Sequence, residues 1–229
     1  ANPEDYTSRG RIITPLKDRF DAQIRTHYPR SVEEEISIME QESTHFGGDG
    51  MVFHTPDFMK EICAQVTMEA RGSNEINQSS GVSVRMTINN FESLVSNAEK
   101  RAVRLGEKQV VPRISDLHAL YPSTAGKIEL EYRGEEQSDE DLIDRLVNRA
   151  IQAVFDKYMK IENLQPVIDY FHAGGGAEVS DMMSSQEYLK GMQNVEGIPE
   201  SLAMLGIEGE PSFVSTATEF ILEGLHLHQ

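Results

Sequence analysis

From Val84 onward, one stretch constrains this chain more than any other. Its apolar residues fall at Ile88, Phe91, Leu94, Val95, Ala98, Ala102 and Leu105, and Gly106 follows. That spacing lays one stripe along about six turns of α-helix, with a glycine where a left-handed stop is needed. A helix this one-sided is held by packing on other apolar faces rather than by its own propensity. The chain offers such faces. Phe58, Met59, Ile62, Cys63 and Val66 form a second stripe after "TPDF", which makes Thr55 the expected cap and Pro56 the first helical residue. Leu142, Ile143, Leu146, Val147, Ala150, Val154 and Tyr158 form a third, opened by Ser138 and Asp141.

Shorter elements fill the intervals. "SVEE" at Ser31 to Glu34 reads as a capping box, with Val32, Ile36, Met39 and Phe46 behind it and Gly47-Gly48 as the stop. "GSNEINQSSG" at 72–81 is polar and turn-rich and reads as a loop. A short helix is expected near Ser115 to Tyr121. In "GKIELEYRGEE", Ile128, Leu130 and Tyr132 alternate like a strand. A further short helix ends at "GGG" (174–176), "SSQE" at 184–187 repeats the capping-box pattern, and a last helix covers about 212–227. The expected class is therefore mainly α. Residues 1–30 differ, reading as an extended and turn segment with one short strand near Gln23 to Tyr28.

The net charge of −17 disfavours a grip on nucleic acid or anionic membrane, because both require a positive face. Arg9, Arg11, Lys17, Arg19, Arg25 and Arg30 make one basic cluster against that background. A single cysteine excludes an internal disulfide framework, and no apolar run reaches membrane-spanning length, so a soluble cytoplasmic protein is expected. The acidic runs Glu33 to Glu35 and Glu135 to Asp141 read as solvated helix starts that favour the dipole. Cys63 lies on an apolar face and reads as core. His226 and His228 are two apart and do not share a helical face, so no metal ligand set is assigned.

Three residues stand out for chemistry. Asn2 precedes proline, which pushes its backbone extended, as at a strand end. Arg19 lies in "PLKDRF", and Arg85 lies in "GVSVR" at the start of the longest stripe. Arginine offers a planar fork that neutralises charge growing on a γ-phosphate, and an asparagine can orient a water without carrying charge. The plain readings are an Arg19 paired with Asp18 or Asp21, and an Asn2 that only turns the chain. A cation at a helix N-terminus opposes the dipole, which favours a functional reading of Arg85. Arg9 and Arg11 either join a neighbour-facing patch or solubilise a loop.

"ANPED…PLKDRFDAQIRTHYP" followed by "GVSVR" resembles the end of the ATPase core and the lid of an AAA+ protein, nearest the magnesium-chelatase ATPase subunit and then the MoxR-type ATPases. The resemblance covers about residues 1–115. It implies that Asn2 is sensor 1, that Arg19 beside Asp18 is the arginine finger, and that Arg85 is sensor 2. It also implies 1–30 as the C-terminal end of an AAA+ core, 31–125 as a helical lid, and 126–229 as a mostly helical extension with no counterpart in the minimal lid. Lys17 departs from the apolar or small residue that relatives carry there.

The implied cofactors are ATP and Mg²⁺. The implied partners are ring neighbours of the same chain and a remodelled protein, for the chelatases a von Willebrand A-type subunit. No G-x-x-x-x-G-K-[ST] loop is present, so the chain is expected to be the C-terminal part of a longer ATPase and inactive by itself. A different class of function, a non-enzymatic acidic helical adaptor, accounts for the same composition.

Overall fold

Ser31 starts the first helix by local chemistry. The computed structural model describes residues 19, 21–22, 24–44, 47, 50–78, 80–129 and 138–228. In α1 (Val32–Glu42) the Ser31 Oγ accepts the Glu34 N–H at 3.3 Å. The second arm of the expected box is displaced by one residue, since the Glu34 carboxylate accepts from the Arg30 N–H at 2.9 Å. α1 ends at Glu42, ahead of the Gly47-Gly48 stop, with the Ser43 N–H bonded to the Met39 carbonyl. Phe46 and Gly48 lie outside the described residues. α2 (Asp57–Gly72) begins one residue later than expected, with Pro56 in the cap position in place of Thr55. The Pro56 carbonyl accepts the Met59 and Lys60 N–H groups at 3.0 and 3.3 Å.

α3 (Arg85–Leu105) is the longest helix and stops as its sequence dictates. Gly106 takes φ +69°, its N–H reaches the Val103 carbonyl at 3.2 Å, and the Glu107 N–H reaches Ala102 at 2.9 Å. This pair of bonds satisfies carbonyls that a helix end otherwise leaves open. On either side of α2 and α3 lie β1 (Val52–Phe53) and β2 (Gln109–Val110), paired parallel with Val52 opposite Gln109. A parallel pair needs a long crossover, and two helices supply it.

The remaining described elements are helical: a 3₁₀ segment at Ile114–Ala119, α4 (Leu120–Ala125), α5 (Asp139–Tyr158), a 3₁₀ turn at Ile161–Leu164, α6 (Gln165–His172), α7 (Ser185–Met192), α8 (Ile198–Met204) and α9 (Pro211–His226). Ser138 caps α5 as expected, accepting the Asp141 N–H at 3.1 Å. The strand expected near Gln23 to Tyr28 does not form over 24–28. An extended segment with no neighbouring ladder among the described residues cannot complete one. Ile128 and Glu129 are likewise outside any strand, although the Glu129 carbonyl accepts the Asn77 N–H at 2.7 Å. Leu130 and Tyr132 lie outside the described residues.

One apolar core runs from Met39 to Leu225. It includes the expected stripes, Phe91, Leu94 and Val95 joining Met39, Phe58, Ile62 and Val66. Ala98 and Ala102 instead pack with Val110 under the small sheet. α2 packs most extensively against α5, and an aromatic nexus ties α2, α5 and α9 together. Phe58 stacks on Phe220 at 4.5 Å, and Phe155 meets the same ring edge-on at 5.7 Å. α9 comes this close because position 224 is glycine, where any Cβ would fall inside the Phe155 ring. Among the described residues no helix is long and apolar enough to cross a membrane.

Candidate functional site

α3 begins without the usual protection. Val84, in the cap position, has helical backbone and no side-chain acceptor, and the first turn holds no acidic residue. The Ser83 Oγ accepts the Arg85 N–H at 3.3 Å, and the Ser83 carbonyl accepts Met86 N–H at 2.9 Å. Arg85 itself is exposed and forms no ion pair among the described residues. The exposed Arg85 guanidinium thus stands at the positive end of the helix dipole, a placement suited to an anion with several oxygens.

The footing of this end is rigid. Within the first turn of α3, the Thr87 hydroxyl donates to Glu35 Oε1 at 2.6 Å. Glu35 is fully buried and accepts from both terminal guanidinium nitrogens of Arg71, at 2.7 and 3.1 Å. Arg71 Nε donates to the Val82 carbonyl at 2.9 Å, which fixes the loop entering α3. The Arg71 guanidinium also lies 4.6 Å from the centre of the Tyr28 ring. Tyr28 in turn covers Gly81, which adopts φ +72° and has no room for a side chain beneath the hydroxyl. The network therefore holds the segment before α1 against the loop four residues ahead of Arg85.

Arg19 is exposed, and its neighbours Asp18 and Phe20 lie outside the described residues. Asn2, Arg9, Arg11 and Lys17 also lie outside them. The structure anchors Tyr28, and among the described residues it establishes no contact between Arg19 and Arg85.

A second polar cluster joins the end of α3 to the C-terminal helices. Arg101 binds Asp116 at 2.9 Å and the Val111 carbonyl at 2.7 Å, all buried. Arg113 is fully buried, donates to the Met183 carbonyl at 2.8 Å and Ser185 Oγ at 2.9 Å, and lies 4.7 Å from the centre of the Tyr188 ring. Burial lowers its hold on the proton, and the neighbouring Arg101 charge adds to that. Tyr188 donates to Glu219 at 2.6 Å, and the Ser115 N–H donates to the same carboxylate at 2.7 Å. Burial pushes the Glu219 carboxyl up from its ordinary value despite these donors.

Sequence reasoning missed these groups. Glu35 is not the solvated helix start expected of Glu33 to Glu35; it is buried, while Glu33 and Glu34 are exposed. The signal was present, since Glu35 falls between Val32 and Met39 at helical spacing, on the apolar face of α1. Arg101 lies on the stripe of α3 in the same way, three residues beyond Ala98. Cys63 is buried in the core, as expected. His228 Nε2 faces Asp156 at 3.0 Å, and among the described residues no three metal-binding side chains are placed to share an ion. No protein-family model, curated protein or solved structure matches this chain.

Proposed function

We propose that the chain is the C-terminal portion of a ring-forming, magnesium-chelatase-like AAA+ ATPase that couples ATP hydrolysis to remodelling of a partner protein in the cytoplasm. The observation that carries this reading is Arg85, an exposed guanidinium with no ion pair among the described residues, at the start of the longest helix and footed on the largely buried Arg71–Glu35–Thr87 network. Unfavourable charge placement held on a rigid base is what a phosphate-contacting residue requires. The motifs "ANPED", "LKDRFD" and "GVSVR" carry the rest by resemblance.

On this reading residues 1–30 end the AAA+ core, 31–125 form the lid, and 126–229 extend it. Arg85 contacts phosphate oxygens of the nucleotide on its own subunit. Arg19 reaches the nucleotide of the adjacent subunit and meets charge that grows during transfer. Asn2 orients the attacking water by hydrogen bonding. Bound ATP with Mg²⁺ supplies the phosphoryl group and the screening of its charge. The chain has no loop to cradle the β- and γ-phosphates, so that part of the site comes from residues outside this sequence, and the chain by itself does not hydrolyse ATP. Ring neighbours are copies of the same protein, and the remodelled partner is a separate one, a von Willebrand A-type subunit in the chelatase case.

The test is a split between binding and turnover in the complete ATPase. Arg19→Ala lowers kcat by about a thousandfold or more while ATP affinity stays near wild type. Arg85→Ala weakens ATP binding as well, because its contact exists in the ground state. Wild-type turnover in Arg19→Ala, or a complete chain that binds no nucleotide, sinks the reading and leaves the acidic adaptor.

A further inference from the structure

Two cavities adjoin along the outer side of α9. The first, of about 230 Å³, is walled by Ile168, Phe171, Ala177, Val179, Leu222 and Leu225, with His226 at its end. The second, of about 330 Å³, shares Val179, Leu222 and His226 with it and continues to Ile114, Glu219 and Glu223. Each lies near or below the lower limit of small-molecule pockets, about 300 Å³, so the pair suits side chains of a short segment better than an enclosed cofactor. The wall opens to water, with Val179 50% exposed.

The charges along this groove have one sign. Among the described residues its lining holds two carboxylates and an imidazole, and neither lysine nor arginine. Glu219 is already satisfied by Ser115 and Tyr188 and serves as an internal strut. Glu223, one turn further on, is half-buried, and its carboxylate has no hydrogen bond or ion pair among the described residues. Asp181, nearby in sequence, is held by Arg104 at 3.1 Å. The molecule as a whole carries −17. An apolar slot lined by a carboxylate with no partner among the described residues is complementary to one kind of occupant.

We propose that this groove is a docking site for a partner segment that sets a bulky apolar side chain beside a lysine or arginine. The apolar side chain fills the space over Phe171 and Leu222, and the cation meets Glu223 at the mouth. An acidic segment is rejected because it places like charge beside Glu223. The inference does not depend on the nucleotide reading, since no residue of the groove belongs to the α3 start.

The chain is titrated with acetyl-Gly-Lys-Phe-Leu-Lys-Gly-amide and with the twin in which both lysines are glutamate, following methyl NMR signals of Ala177, Val179 and Leu222. The expected result is saturable binding of the lysine peptide alone, with those three methyls shifting. Glu223→Gln weakens binding about two- to fivefold, the range for one exposed ion pair, and added salt does likewise. Val179→Ser, at a half-exposed position that leaves the fold intact, weakens it by removing apolar contact. Equal affinity for the two peptides, affinity unchanged in both variants, or no saturation by the lysine peptide below about 10 mM overturns the proposal.

Discussion

Arg71 and Glu35 meet as a two-point ion pair, Nη1 to Oε2 at 2.7 Å and Nη2 to Oε1 at 3.1 Å, joining α2 to α1 across 36 residues of sequence. Removing one partner leaves the other nearly buried and uncompensated, which costs far more than the pair contributes net. Glu35→Ala is expected to lower stability by about 3–5 kcal/mol in urea unfolding. A loss below about 1 kcal/mol, the range for surface pairs, would show that Glu35 is solvated in solution.

Arg85→Ala is expected to leave thermal stability unchanged or to raise it by about 0.3–1 kcal/mol, because it removes a cation from the positive end of a helix. A marked loss of stability would recast Arg85 as structural. If the proposed ring ATPase is right, mixing Arg19→Ala subunits with subunits lacking a working Walker loop should restore part of the turnover. In such rings some sites pair an intact loop with an intact finger. No recovery in rings shown to be mixed would argue that Arg19 works in cis or only holds structure.

The capping box of α7 predicts a pH dependence. Glu187 accepts from the Ser184 hydroxyl and N–H, both at 2.7 Å, and these bonds hold its carboxyl below the ordinary value. A carboxyl lowered in the folded state contributes stability above its unfolded value, and that contribution fades as pH falls through the folded one. The difference in Tm between wild type and Glu187→Ala should be full near about pH 7 and shrink below about pH 4. A difference that grows toward acid would have the wrong sign.

Cys63 should be unreactive in the native state. Burial pushes its thiol up to about 12, so thiolate is scarce and no path leads to it. Labelling by a disulfide reagent should follow the rate of unfolding and become immediate in denaturant. Rapid labelling of the native protein would mean that the α2 face opens on its own.

Gly224→Ala should destabilise although alanine is the better helix former. The gain in propensity is at most about 1 kcal/mol, and driving a methyl into the Phe155 ring costs about 1–3 kcal/mol. Thermal unfolding of Gly224→Ala, alone and with Phe155→Leu, checks this. The second change should recover part of the loss by making room.

The helices were legible because helix signals are local. The stripe from Phe91 to Ala102, the stop at Gly106, and the caps at Ser138 and Ser184 each involve residues within about one turn of each other, and all four appear where the spacing places them. Arg85 was legible for the same reason, as a cation at a helix start. The strand near Tyr28 was not, since a strand exists only where a second ladder meets it, and Tyr28 is instead held by Arg71 and Gly81.

What the amino-acid order determined by itself is the helical class, the ends of the main helices and the exposed charge opening α3. What only the tertiary structure decided is which charges are buried. Glu33, Glu34 and Glu35 are alike in sequence, yet Glu35 alone meets Arg71. Arg113 finds Ser185 from 72 residues away, and Glu219 finds Ser115 from 104. A buried charge survives only if a partner arrives to replace water, and such a partner is brought by packing between distant helices rather than by any spacing along the chain.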